Sequence, residues 1–289
     1  MAPVGATASR TRRVLDRLAA YPMLAVGLAI LGGLLGLAYL TPVFVTLDPL
    51  AISGTTKLLP PGGAHLLGTD DLGRDVFARI VVGAHISLRI AFAATLLTAV
   101  FGIVLGMLSG QYRVADAIIG QISDALLVFP GFVLAIMILS AIGRSELNVI
   151  LAVFVLYVPR LIRTVRASIL EYRDADFVLA ARTLGAGDLR ILIIHIFPRA
   201  IGPVLVQLSL GFSSAILVEA GLSFLGLGSP PPAPSWGNMI SGARDFTRTA
   251  PWLMIAPGAM IALTVLSLNL IGDGLRDMLD PRLQGRGRG

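Results

Sequence analysis

Six apolar stretches divide this chain, at 22–45, 86–109, 117–142, 149–170, 200–219 and 252–272. Each is near the roughly 20 residues that a helix needs to cross a hydrocarbon core of about 30 Å. Composition agrees: 55% of the 289 residues are hydrophobic and 14% charged, with a mean hydropathy of +0.84, where a soluble domain carries roughly 25% charged residues. A pair of soluble domains is excluded, and one all-helical membrane-embedded unit is expected, because in lipid the backbone must satisfy its own polar groups. Arg10, Arg12, Arg13 and Arg17 precede the first stretch as they would in a secretion signal. Its apolar run exceeds the usual 7 to 15 residues, roughly, and has no A-x-A site, so it reads as an uncleaved helix. The fourth stretch is interrupted by Arg160, Arg163 and Arg166, which must snorkel or lie beyond the headgroups. Cysteine is absent, which removes disulfides, a thiol nucleophile and Cys-based metal sites.

Six spans put both termini on one side of the membrane, so the basic residues of alternate loops can be compared. One set, made of 1–21, Arg113, the loop 171–199 with its flanks and the tail 273–289, holds 16 Lys and Arg; the other, made chiefly of 46–85 and 222–251, holds 7. Because Lys and Arg are retained in the cytoplasm, both termini are expected inside. The net charge of +6 is then a product of topology. Nucleic-acid binding loses its motivation, since the arginines are spread over several short segments without an aromatic-lined groove.

In the outer segment 46–85, Val76, Phe77, Ile80 and Val81 recur at helical spacing after Thr69. An amphipathic helix over 69–84 is expected, capped by Thr69, with Asp70 and Asp71 at its positive end and Asp70/Arg74 and Asp75/Arg79 as i,i+4 pairs. The three aspartates lack the D-x-D-x-D-G spacing of a calcium loop, and the arginines compete for them. The second outer segment, 222–251, contains Gly226, Gly228, Pro230, Pro231, Pro232 and Pro234, which favour a stiff extended loop. Between these segments, Gly102 and Gly106 form a G-x-x-x-G contact face, and Pro130 and Gly131 are expected to kink the third span.

The inner loop carries the clearest signal. It reads DADFVLAARTLGAGDLRILIIHIFPRA over 174–200. Asp174 or Asp176 can cap a short helix whose Phe177, Ala180, Ala181 and Leu184 form one stripe, and Gly185 and Gly187 then allow a reversal before Asp188 caps a second helix. A helix of about eight residues is not stable alone in water, so the stripe must pack on something. One reading is an interfacial helix in the headgroups; the other is a docking helix that fits a groove of a cytoplasmic partner and passes on its movement. Within the spans, Asp124, Gln207, Glu219 and Asn269 are polar among apolar neighbours, and such groups face water or the protein interior. Asp124, Gln207 and Glu219 are the candidates for lining a pathway, with interior packing as the alternative.

Ala180, Ala181, Gly185 and Pro198 match the E-A-A, three residues, G, nine residues, I-x-L-P loop of ABC importer permeases, with Leu179, His195 and Phe197 departing from it. With LGTDDLGRDVFARIVVGAHISL at 67–88, EAGLSFLGLGSPPPAPSWG at 219–237 and NLIGDGLRDMLDPR at 269–282, the chain resembles the dipeptide, oligopeptide and nickel branch of that family, in particular its DppC/OppC-type second permease. The resemblance implies a type I ABC importer permease fold in the inner membrane and a coupling helix over 176–187. It also implies a homologous second permease subunit, two cytoplasmic ATPases or one fused ATPase, and an external substrate-binding protein. ATP and Mg are then held by those ATPases, with no cofactor or metal in this chain. The cargo implied is a di- or oligopeptide, with nickel, haem, glutathione or another small solute as alternatives.

The residues themselves fit a transport subunit better than an enzyme. No G-x-x-x-x-G-K-[ST] loop exists, and Lys57 is the only lysine, so no phosphate loop can be built here. H-E-x-x-H and G-x-S-x-G are both missing. From residues alone, an ion-coupled secondary transporter or channel is the rival class, separated from an ATP-driven importer by whether uptake needs ATP or an ion gradient.

Overall fold

The computed structural model describes residues 21–279. The expected inner segment 1–21, but for Tyr21, and the tail residues Arg282, Arg286 and Arg288 lie outside the described residues. Among those described, the chain is helical, with one isolated bridge between Thr69 and Asp75. The helices are α1 (Pro22–Phe44), α2 (Val76–Gln111), α3 (Arg113–Val128), α4 (Gly131–Ile142), α5 (Glu146–Arg173), α6 (Asp176–Thr183), α7 (Asp188–Phe224), α8 (Trp236–Gly242) and α9 (Trp252–Leu279). Helices α1, α2, α5, α7 and α9 are each long and apolar enough to cross a membrane, and α3 with α4 makes a sixth crossing if the bent pair is one span. One end of the bundle carries 45–75 and α8; the other carries α6.

The spans touch where side chains are smallest. A Cβ at Gly102, Gly106 or Gly110 would lie 2.7, 2.6 and 2.6 Å from Leu161, Val165 and Ile169 of α5. The G-x-x-x-G face is therefore an internal α2/α5 seam, extended by a third glycine, on which the two backbones approach closely. A Cβ at Gly274 of α9 would meet Leu24 of α1 at 2.6 Å in the same way.

Three elements differ from the sequence reading. The expected helix over 69–84 is not a separate element: α2 starts at Val76, where the Asp75 side chain accepts the Ala78 N–H at 2.8 Å, and it runs on into the span. Thr69 is no cap. Its hydroxyl donates to the Thr56 carbonyl and accepts the Leu59 N–H. The residues before Asp75 turn sharply, with Gly68 and Gly73 at positive φ, and Asp70 closes that turn by accepting the N–H groups of Leu72 and Arg74. The Asp70/Arg74 pair exists at 2.6 Å, but Asp75 pairs with His65 rather than Arg79, and Arg79 instead reaches Asp70 at 3.5 Å.

The third span does more than kink. Helices α3 and α4 are bent by 96°, because Phe129 and Pro130 are both extended, at ψ 138° and 120°. Proline has no N–H to continue the ladder and disfavours helix at the residue before it. The outer segment 222–251 is not wholly extended either. Ser235 and Asn238 form a capping box that starts α8, and Trp236 is buried with its indole N–H on the Ile80 carbonyl at 3.2 Å.

Candidate functional site

Helix α6 begins at Asp176 after Ala175, and no side chain caps it. Asp174 ends α5 instead, and Asp188 is the first helical residue after Gly187 rather than a cap. Gly185, at φ +82°, reverses the chain, a conformation open to glycine at little cost. The Ala186 N–H reaches back to the Ala181 carbonyl at 3.1 Å, and Arg182 and Asp188 stand 3.5 Å apart across the turn.

The expected stripe of Phe177, Ala180, Ala181 and Leu184 divides between two faces. Val178, fully buried, and Ala181 pack into a cluster with Leu161, Val165 and Ile169 of α5 and Ile191, Ile196 and Ala200 of α7. Phe177 is half-buried beneath the Arg199 guanidinium, 3.7 Å from its ring centre. Ala180 and Leu184 point outward with Leu179 and Leu189, and Leu184 is 87% exposed. The buried face is centred on Val178 and Ala181; Ala180 is turned about 100° from Ala181, and Leu184 lies past Thr183, the last helical residue. Ala181 and Phe177 thus hold the helix to the bundle while Leu184, Ala180, Gly185 and Gly187 form its free edge.

Beyond α6, α7 opens with a π-helical turn over Ile191–Ile196, in which the Phe197 N–H bonds to the Leu192 carbonyl. Pro198 follows and offers no N–H to the preceding turn.

The three pathway candidates lie in three different places. Asp124 is exposed and pairs with Arg163 at 2.6 Å, in a groove of about 760 Å³ between α3 and α5 that also contains Ser109, Asp116, Gln121 and Arg166. Arg166 donates to Asp116 through two guanidinium nitrogens, Nε and Nη2, and Ser109 donates to the same carboxylate. Gln207 is half-buried and borders a cleft of about 570 Å³ with Tyr172, Arg199 and Arg276. Glu219 is fully buried, accepts from Ser223 at 2.7 Å and lies in the helix against which the loop before α8 is pressed. A Cβ at Gly228 would come within 1.9 Å of Ser223, and one at Gly237 within 2.4 Å of the Ala220 carbonyl. Of the two readings the sequence leaves open for Glu219, its full burial in this conformation fits interior packing. Asp116 and the arginines of α5 were not among the candidates, although their spacing of three residues inside an apolar helix was visible.

The aspartates before α2 are committed to Arg74, Arg79, His65 and backbone N–H groups. Among the described residues no group of three or more His, Asp or Glu side chains is placed to hold a metal ion.

A multi-span bundle with a small helix anchored at one end, and with charged grooves between its spans, defines an integral membrane component of a transport system. Residues 100–285 match the family described as binding-protein-dependent transport system inner membrane component, and the chain belongs to that family. It is 45% identical over 262 residues to a putative peptide transport system permease protein of Brucella suis, covering 91% of this chain and 88% of the relative. It is 41% identical to the dipeptide transport system permease protein DppC of Alkalihalophilus pseudofirmus over 90% of this chain and 86% of that protein. A glutathione transport system permease protein, GsiD of Pectobacterium atrosepticum, is 43% identical over 78% of this chain and 75% of its own length. A chain of the MetNI methionine ABC transporter, in inward-facing conformations, has the same fold, with a TM-score of 0.55 and 18% identity over 70% of this chain and 96% of that one. The all-helical fold of the type I ABC importer permeases and the inner-membrane location expected from the sequence are thus both met.

Proposed function

We propose that this chain is the DppC-type permease subunit of an ATP-driven importer of di- or oligopeptides, paired with a homologous second permease. Two cytoplasmic ATPases, or one fused ATPase, supply the ATP and Mg, and an external binding protein delivers the cargo. The names of the relatives support the peptide cargo; glutathione, itself a tripeptide, falls within the same chemistry. The 16-to-7 distribution of basic residues supports a cytoplasmic α6 and cytoplasmic termini.

The observation that carries the reading is the two-sided build of α6. Its inner face, Val178 and Ala181, belongs to the same packed cluster as α5 and α7, while Leu184 and Ala180 stand free at its edge. An exposed leucine at the end of the bundle, on a helix too short to hold itself, suits a groove in a partner protein. When the ATPases close on ATP, α6 is displaced, and close packing passes that displacement to α5 and α7 without slack. The spans then exchange inward-facing for outward-facing arrangements, into which the binding protein releases its cargo. Asp124 and Gln207, on open grooves, are the residues of this chain proposed to meet the pathway.

Reconstituted vesicles holding this chain, its sister permease, the ATPases and the binding protein test the reading. ATP-dependent accumulation of a labelled dipeptide is expected. Accumulation driven by an ion gradient without ATP would overturn it.

A further inference from the structure

Three arginines follow one another along α5 at three-residue spacing, Arg160, Arg163 and Arg166, about 4.5 Å of rise apart. Arg160 lies roughly 21 Å along the helix from Glu146, which is inside a hydrocarbon thickness of about 30 Å. Two of them are matched by carboxylates on α3: Asp124 faces Arg163 and Asp116 faces Arg166. Among the described residues Arg160 has no carboxylate partner, and its guanidinium stands 5.5 Å over the Tyr157 ring.

Arg163, Arg166, Asp116 and Asp124 line the groove between α3 and α5. The side chains of Asp124 and Arg163 are 66% and 56% exposed, and charged groups in a membrane turn toward water, a cavity or protein. Helix α3 is sided accordingly. Its exposed Val114, Ile118 and Ile122 recur every four residues on one stripe, while Asp116, Gly120 and Ser123 line the groove toward α5.

We propose that Arg160, Arg163 and Arg166, with Asp124 and Asp116 opposite the last two, form a track that hands the terminal carboxylate of a peptide cargo from one guanidinium to the next. This rests on the peptide reading above and assigns part of its route. A carboxylate coming from the α8 end meets Arg160 first, the one cation of the three that has no counter-charge. At Arg163, and then at Arg166, it takes the place of an aspartate, so each transfer exchanges one carboxylate for another on a planar fork suited to both. Arg163 and Arg166 each keep a carboxylate throughout the exchange, and Arg160, exposed over the Tyr157 ring, is unpaired before and after, so passage of a charged terminus adds no newly bare guanidinium to the bundle.

The test uses the complete transporter in vesicles, with ATP-driven uptake of labelled dialanine. Arg160→Gln is expected to lower uptake about tenfold or more, the loss of one charge-assisted pair, while the ATPases still co-purify and hydrolyse ATP. Arg160→Lys is expected to keep most of the uptake, since a cation remains. In the swap Asp124→Arg with Arg163→Asp the pair is remade in reverse, and uptake is expected to stay low. Uptake by Arg160→Gln within about twofold of the unmodified protein, or full recovery in the swap, would overturn the track. The latter would reduce Arg163 and Asp124 to a brace holding α3. Failure of the peptide reading is a separate result, because the unmodified transporter would then import no dialanine.

Discussion

The Arg199 guanidinium lies 3.7 Å from the ring centre of Phe177, tying α6 to the first regular turn of α7 just past the π-helical segment. With Val178 and Ala181 in the cluster below, this contact fixes the attitude of α6 on the bundle. A cation over an aromatic face contributes about 0.5–1 kcal/mol at an exposed site and more where water is excluded. That is small beside the stability of the bundle but large for a helix of 8 residues.

Phe177→Ala should therefore loosen α6 without unfolding the protein. The expected result is uptake reduced several-fold with ATP hydrolysis less affected, so that more ATP is consumed per peptide imported. Phe177→Tyr, which keeps the ring, should behave as the unmodified protein. Parallel measurements of hydrolysis and uptake on the same vesicles check both; an unchanged ratio in the alanine variant removes the contact from the coupling route.

Leu184 and Val178 separate docking from anchoring. Leu184 is 87% exposed and Val178 fully buried. Leu184→Arg should leave thermal stability of the isolated permease within about 0.5 kcal/mol and abolish co-purification of the ATPases. Val178→Asp buries an unpaired carboxylate and should lower stability by several kcal/mol, on the order of 3 or more. Retention of the ATPases by Leu184→Arg would place their contact elsewhere.

The α2/α5 seam makes a third prediction. At Gly106 a Cβ would sit 2.6 Å from the Val165 Cβ, backbone-borne on both sides, so neither partner can swing away. Gly106→Leu is expected to cost about 3 kcal/mol or more and to reduce the yield of folded protein from membranes. Gly120→Ala, in α3, meets nothing nearer than 4.0 Å and should be neutral. Thermal scans in detergent distinguish the two.

Most of the span positions were legible in the sequence because hydrophobic length is a local property. What escaped it depended on neighbours distant along the chain. Gly102 and Gly106 announced a close helix contact, but only the fold identifies α5 as the other side and adds Gly110. Pro130 marked an interruption, yet whether that becomes a slight kink or a 96° bend depends on α4 finding α5, where Gly131 meets Leu156. The inner loop does contain a short helix, Asp176–Thr183, while the division of its expected stripe into a buried face and a free edge depends on the cluster contributed by α5 and α7. Helix α8 was available locally, since Ser235 and Asn238 have the spacing of a capping box; the prolines before it drew the reading toward an extended loop.

Asp75, rather than Thr69, is where α2 starts, and substitution there tests the assignment. Its carboxylate accepts the Ala78 N–H at 2.8 Å and meets His65 Nδ1 at 2.7 Å, so it caps the helix and pins the preceding turn at once. Asp75→Ala removes both and should cost about 1–2 kcal/mol, lowering the melting temperature by roughly 2–4 °C per kcal/mol for a chain of this size. Asp75→Asn keeps a capping oxygen and should lose less than half of that. Thr69→Ala, by contrast, should act on the turn through the Leu59 and Thr56 contacts and leave the start of α2 unaltered. Hydrogen exchange at the amides of 76–79 reads the difference: faster exchange in Asp75→Ala alone is the expected pattern, and equal protection in all three variants would show that packing against Trp236, not the cap, sets where the helix begins.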